Sequence, residues 1–344
     1  MKIKIFIIYS LLCFYVSALM GQTVSDLEKM AQTGNTNAMV KLGEYYLDGK
    51  FVQQNYTKAI EWWEKASCNS DCPESLLYSL GRIYEKGQLT SINLPKARSF
   101  YERAAEKGFV VAMYNLGRMY AEGRGTQKNI EKAILYYEKA ASNGLPGAMN
   151  NLGLLYRNEL KDYTKSIVWF EKAINTGYFS EAMTNLGIMY HEGEGVNQDY
   201  GTAKLLFEQA SNKGDNMAMM LLADMYLRGE GGTVDYKRSV ELFSESTRNG
   251  NQKAKIYLPI AQAKLGEKYY KEKDYVKALP LIKTAAENTI NPQAGAMRLL
   301  AAYYRYGMGG LPVDNAKEQY WMEKSAKYND RKADNTLNSK LEVP

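Results

Sequence analysis

The 344-residue sequence predicts an all-α fold, a solenoid of about eight helix–turn–helix repeats, and three observations carry the prediction. First, a small residue following a Leu recurs at Gly43, Gly81, Gly117, Gly153, Gly187, Ala223, Gly266 and Ala301, at spacings of 38, 36, 36, 34, 36, 43 and 35. Second, a Tyr stands three residues later every time: Tyr46, Tyr84, Tyr120, Tyr156, Tyr190, Tyr226, Tyr269 and Tyr304. Third, an Ala stands five residues earlier in seven of the eight, with Leu76 as the exception. Positions within a repeat are counted below from the small residue, taken as zero.

Each repeat contains two helical patterns. In helix A, exemplified by Glu181 to His191, Ala182, Leu186 and Tyr190 recur four residues apart and form one apolar stripe. In helix B a small residue is followed by a bulky pair and another small one, as in Ala59–Trp62–Trp63–Ala66 and Ala133–Tyr136–Tyr137–Ala140. A helical Gly costs about 1 kcal/mol against Ala. Its return at position zero in six of eight repeats predicts close helix contact there. Helix B ends at Gly108, Gly144, Gly177, Gly214 and Gly250, the residue suited to a left-handed cap. Asn129, Asp199, Asp235 and Asp314 stand where they would cap the first turn of helix B. The Gly-x-Gly turns between A and B are not followed by Lys-Ser/Thr and join helices, which favours simple turns over phosphate loops. Trp62, Trp63, Trp169 and Trp321 fall on the helix B stripe and are expected in the core.

The ends differ from the repeats. Residues 1–21 combine Lys2 and Lys4 with an apolar run from Ile5 to Met20, then small residues before Gln22. This reads as a signal peptide, with an N-terminal membrane anchor as the alternative. Its removal takes away two lysines and no acids, lowering the formal charge from +6 to +4. With no basic block, that charge gives no reason to expect a nucleic-acid partner. Residues 22–34 read as a lone capping helix, 35–327 as the repeats, and 328–344 as a polar tail, fraying from helix into disorder. The 43-residue spacing before Gly266 contains Pro259, which predicts either an inserted turn or an extended helix.

The stretch AMTNLGIMYHEGEGVNQDYGTAKLLFEQASNKG, Ala182 to Gly214, resembles a Sel1-like repeat, a relative of the tetratricopeptide repeat, through Ala182, Leu186, Gly187, Tyr190, Gly193, Gly195 and Asp199. The resemblance extends over about residues 35–327, while the seventh repeat is more similar to the shorter tetratricopeptide form. It implies a right-handed α/α superhelix that serves as a scaffold for protein complexes, with helix A lining the concave face. It names no partner, because the shared residues are packing residues.

On that face, positions −3, +1 and +4 of repeats two to five hold Tyr78, Arg82 and Glu85; Tyr114, Arg118 and Ala121; Asn150, Leu154 and Arg157; Thr184, Ile188 and His191. Stacked, Tyr78, Arg82, Tyr114, Arg118, Asn150, Arg157, Thr184 and His191 would form a groove for an extended peptide, Tyr and Asn bonding its backbone and Arg gripping a carboxylate. His191 is the only histidine, which excludes a multi-histidine metal site. Cys68 and Cys72, in the loop after the first repeat, predict a local disulfide in an oxidising compartment, with free thiols or a metal pair as alternatives. No nucleophile–base pair or ligand cluster stands out, so neither an enzyme nor a cofactor is expected. The functional expectation is an exported scaffold, periplasmic or secreted, that binds a protein or peptide and has no membrane span once the signal is removed. The alternatives are a glycan or peptidoglycan binder and a cell-wall hydrolase.

Overall fold

Ala, Leu and Tyr at positions −5, −1 and +3 lie four residues apart, which places them on one side of a helix. The computed structural model describes residues 24–177 and 179–340, with side chains up to residue 329. Two compact units divide the chain after Lys161. The first contains α1 (24–32), α2 (Thr36–Asp48), α3 (Tyr56–Ser67), α4 (Glu74–Lys86), α5 (Leu94–Glu106), α6 (Val110–Glu122), α7 (Ile130–Ser142) and α8 (Pro146–Asn158). The second contains α9 (Tyr163–Asn175), α10 (Ser180–Glu192), α11 (Tyr200–Asn212), α12 (Asn216–Arg228), α13 (Tyr236–Arg248), α14 (Gln252–Lys271), α15 (Tyr275–Glu287), α16 (Ala294–Tyr306), a 3-10 turn at Met308–Gly310, and α17 (Asn315–Lys340). No strand occurs among the described residues. From α2 onward the even-numbered helices are A helices and the odd-numbered ones B helices.

The repeated residues build one joint again and again. The Leu at position −1 is buried in all eight A helices, from Leu42 to Leu300. The small residue beside it faces the second bulky residue of helix B. A Cβ added at Gly117 would lie 2.5 Å from the Tyr137 ring, and one at Gly81 2.5 Å from the Tyr101 ring. The residue is therefore small because an aromatic ring occupies the space a side chain would need.

The recurrent Tyr serves through its backbone as well as its ring. The Asn93 N–H donates to the Tyr84 carbonyl at 2.9 Å. The Asn93 side chain caps α5 by accepting from the Lys96 N–H at 3.0 Å. Lys96 Nζ then sits 4.4 Å above the Tyr84 ring, a cation–π contact. The same arrangement joins Tyr46, Asn55 and Lys58; Tyr120, Asn129 and Lys132; Tyr269, Asp274 and Lys277; and Tyr304, Asp314 and Lys317. Asp199 and Asp235 cap α11 and α13 as the sequence predicts. In the Gly-x-Gly turn, the first Gly ends helix A in the left-handed conformation and the second touches the preceding repeat. A Cβ at Gly231 would lie 2.6 Å from the Tyr200 carbonyl oxygen. These glycines serve packing and turn geometry.

Several expectations are revised. Trp63 and Trp321 are core residues. Trp62 and Trp169 are only half-buried, roofed by Lys65 at 4.4 Å and Lys172 at 4.1 Å. The long spacing before Gly266 is an extended helix: α14 has 20 residues and carries Pro259 inside it. Helix α17 runs from Asn315 to Lys340, into the segment read as a polar tail. The 1–21 segment lies outside the described residues, while α1 falls within 22–34.

Cys68 and Cys72, the candidate disulfide pair, are not bonded to each other in this structure. Both are free thiols, Cys68 exposed and Cys72 buried. Cys68 ends α3 with its Sγ towards the Glu64 carbonyl, 3.5 Å away, whereas Cys72 packs inward. The loop is pinned from three sides. Asn69 donates to Gly34 at 2.9 Å, Lys107 to Ser70 at 2.6 Å, and Arg103 to the Ser67 carbonyl. Burial pushes the Cys72 thiol above its ordinary pKa.

Candidate functional site

Positions −3, +1 and +4 of the A helices carry the strip that the sequence predicts as a groove. In the first unit Tyr78 is half-buried, its ring 4.8 Å from Phe109 and 5.8 Å from Tyr101. Tyr114 lies 5.8 Å from Tyr137, and its hydroxyl accepts from Asn151 Nδ2 at 3.3 Å. Arg82 is exposed. Asn150 is buried, and both Asn150 and Arg157 are already engaged in polar or ring contacts.

Arg118 is not an open grip. It donates from Nη2 to Glu85 Oε1 at 2.8 Å, and Arg124 donates to the same oxygen from Nη1 at 2.9 Å. Tyr101 donates its hydroxyl to Glu85 Oε2 at 2.8 Å. Glu85 is only 3% exposed. Burial alone would raise the pKa of this carboxyl. The Tyr101 hydroxyl and the two guanidinium groups outweigh that and hold it below the usual carboxylate range. The Tyr101 phenol is correspondingly pushed upward, by burial first and by Glu85 second.

In the second unit Thr184 is buried, and its hydroxyl bonds back to the Ser180 carbonyl at 3.1 Å, so it has turned into its own helix. His191 is half-buried, with Nε2 2.8 Å from Glu230 Oε2 and its ring edge-on to Tyr200 at 5.1 Å. Asp224 lies beside them and pairs with Arg228 at 3.0 Å. The predicted strip therefore separates into three parts. Arg82 is free for a partner, Tyr78 and Tyr114 offer partly exposed rings, and the others are engaged: Arg118 and His191 across repeat joints, Thr184 within its own helix, Asn150 and Arg157 in contacts of their own.

Sequence reasoning missed Arg124, Asp224 and Glu230. Each sits at +7 or +1 of the repeat following the residue it serves. The signal was available in the register, because +4 of one repeat meets +1 and +7 of the next.

Among the described residues each unit has a cleft on the A-helix face. That in the first has a volume of about 410 Å³ between α2 and α4, with Val40, Leu47, Trp63, Leu76 and Ile83 in its walls. That in the second has a volume of about 520 Å³ between α14 and α16. Among the described residues no group of three or more His, Cys, Asp or Glu side chains could hold a metal ion, and no helix is long and apolar enough to cross a membrane.

The Sel1 repeat family model matches residues 36–71, 76–109, 110–145, 146–178, 180–215, 216–251 and 294–330. The chain belongs to the Sel1 repeat family. The unmatched interval after residue 251 coincides with α14 and α15, where the extended helix departs from the Sel1 unit. Among solved structures, a protective antigen of uropathogenic Escherichia coli with an SLR fold is 28% identical at a TM-score of 0.65, aligning over 92% of this chain and 66% of its own. A Sel1 repeat protein from Oxalobacter formigenes is 25% identical at a TM-score of 0.59, aligning over 94% and 93%. Of curated proteins, the Activator of C kinase protein 1 of Saccharomyces cerevisiae is 35% identical over 79 residues, 22% of this chain. An ERAD-associated E3 ubiquitin-protein ligase component of Arabidopsis thaliana is 36% identical over 81 residues, 23% of this chain. The matched stretches span only 13% and 12% of those two relatives.

Proposed function

We propose that this Sel1 repeat protein is an exported, periplasmic or secreted scaffold that binds a protein or peptide partner along its A-helix face. The observation that carries this reading is the division of labour at positions −3, +1 and +4. The B helices and inter-repeat pairs fix the backbone, while Arg82 and the edges of Tyr78 and Tyr114 stay available in one row. Rigid aromatic and arginine side chains on a pre-formed surface are what protein recognition uses most. The names of the curated relatives, a kinase activator and a ligase component, agree with work done through other proteins. Export is part of the proposal and rests on residues 1–21.

A photocrosslinking amino acid placed at Arg82, compared with one at Leu135 on the exposed side of α7, tests the binding reading in living cells. A protein captured from position 82 and not from 135 is expected. Equal capture from both, or none from either, rejects it. Retention of the chain on insoluble wall material without a crosslinked protein would favour the glycan alternative. The export component predicts a mature amino terminus at Gln22, read directly by terminal sequencing.

A further inference from the structure

We infer that the cleft between α14 and α16 is a pocket for an aromatic side chain of an extended, acidic peptide. The inference rests on the proposed binding along the A-helix face and gives that partner a chemistry.

The shape argument comes from the repeat itself. In the third repeat, position −3 is Tyr114, and its ring covers position −6 of the next repeat, Gly147, whose added Cβ would lie 3.7 Å from it. In the seventh repeat the same two positions are Ala263 and Gly295. A Cβ added at Gly295 meets nothing within 4 Å. The tyrosine is missing and its place is open, giving a cleft of about 520 Å³. The chain thus shows what fits this site, because one of its own aromatic rings occupies the equivalent position.

The walls specify the ligand further. Ile260, Ala263, Ala296 and Leu299 supply apolar surface, and Tyr270 supplies a ring. Leu299 holds the register that Asn151 holds beside Tyr114, so an incoming hydroxyl has no amide donor at that position; the amide in the wall, Gln293, already donates its Nε2 to the Asn291 carbonyl at 2.8 Å, and phenylalanine suits the floor better than tyrosine. The rim is cationic. Lys264, Lys271 and Arg298 are exposed and line the opening, against one acid, Glu267, which is 2.8 Å from Lys271 and 3.7 Å from Lys264. A smaller hollow of about 120 Å³ adjoins it, where Lys268 joins Lys264 and Lys271 around Glu267. An apolar floor under a rim of excess positive charge complements an aromatic residue flanked by carboxylates.

Selection of a random heptapeptide phage library on the immobilised full chain tests this. Enriched peptides should combine a Phe with Asp or Glu within two residues. Filling the cleft from either wall, with Ala263→Tyr or Gly295→Leu, should weaken the best enriched peptide at least about tenfold by fluorescence anisotropy. Both variants should keep the parent melting temperature. Enrichment of peptides without an aromatic residue, no enrichment, or unchanged affinity for both well-folded variants would overturn the pocket. The photocrosslink from Arg82 lies in the other unit. Its capture of a partner while these peptide results fail would reject this pocket and leave the broader reading standing.

Discussion

Glu85 in the first unit and His191 in the second occupy the same position, four residues after the small residue of helix A, and meet the same two positions of the next repeat. Around Glu85 those positions hold Arg118 and Arg124. Around His191 they hold Asp224 and Glu230. The positions are kept and their groups are exchanged, the acid now lying in the following repeat. Solvation changes with them: the Glu85 side chain is 1% exposed, whereas that of Glu230 is 18% exposed and that of Asp224 26%. The fold therefore specifies that inter-repeat groups meet here, and the residue types decide whether the meeting is a buried anchor or a wet pair.

The largest effect expected from this difference is on stability. Replacing Arg118 and Arg124 together by Met would leave Glu85 buried with only the Tyr101 hydroxyl. Stranding one partner of a buried ion pair costs about 3–5 kcal/mol. Adding Glu85→Met should recover most of that loss, since an apolar trio avoids the stranded charge. In the second unit His191→Ala removes a pair that water can replace and should cost under about 1 kcal/mol. Urea unfolding followed by hydrogen exchange on α4–α6 and on α10–α12 reads the two effects separately, which matters because repeat arrays need not unfold in one step. Equal losses at the two sites would contradict the contrast.

Next comes the position-zero residue. Gly117→Ala would drive a methyl group into the Tyr137 ring, and overpacking of this kind costs about 1–3 kcal/mol, against a gain of about 1 kcal/mol in helix propensity. Ala223 already fills that position in the sixth repeat. Ala223 is fully buried, so Ala223→Gly should cost the propensity term of about 1 kcal/mol and about 1 kcal/mol more for the lost buried methyl. Thermal melts of the two variants sharpen the comparison: a stabilised Gly117→Ala would show that the ring moves aside freely.

These two cases also show what could be read without a structure. The Gly, Leu and Tyr pattern was legible because packing imposes it on every repeat, and the joint it builds is local in sequence. The Asn and Asp caps were legible for the same reason. The polar strip was only half legible. Arg118 looks like an open binding residue along its own helix, and its partner Glu85 lies 33 residues earlier in the preceding repeat. Thr184 looks outward by register but bonds its own helix. The cleft at α14 was hidden because it is made by residues too small to stand out, Ala263 and Gly295. A place on the stripe did not fix the half-burial of Trp62 and Trp169.

Glu85 and Asp224 should respond to acid in opposite senses. Glu85 has a folded pKa below its ordinary value, so its contribution is present above the unfolded carboxylate pKa and is lost as pH falls through the folded one. Asp224 is shifted the other way, by burial first, with Arg228 only partly offsetting it and Glu230 adding to it. An acid whose folded pKa is raised is destabilising when ionised, and that penalty is relieved as pH falls through the raised value. Lowering pH through the carboxylate range should then loosen α4–α6 first and further than α10–α12, where relief at Asp224 acts against the loss at Asp199, the α11 cap whose carboxyl is also held below its ordinary range. Hydrogen exchange over a pH series, corrected for intrinsic rates, checks the order, and loosening of both segments together would refute it.

The smallest structural effect separates the two roles that the A-helix face combines. Arg82 and Arg118 both carry a guanidinium on that face, yet Arg82 is exposed while Arg118 completes the Glu85 anchor. Arg82→Ala should change stability by no more than about 0.5 kcal/mol, the range for surface substitutions away from buried networks. If Arg82 belongs to the binding row, the same substitution should still reduce crosslinked partner, with the photocrosslinker moved to Arg157 as a second position on the face. Arg118→Ala would reduce capture too, but together with a lowered melting temperature, so loss of binding there is ambiguous in a way that loss at Arg82 is not. A single exposed arginine that leaves folding untouched is thus the cleaner probe. Full capture by Arg82→Ala would remove Arg82 from the site and leave the tyrosine edges to carry the row alone.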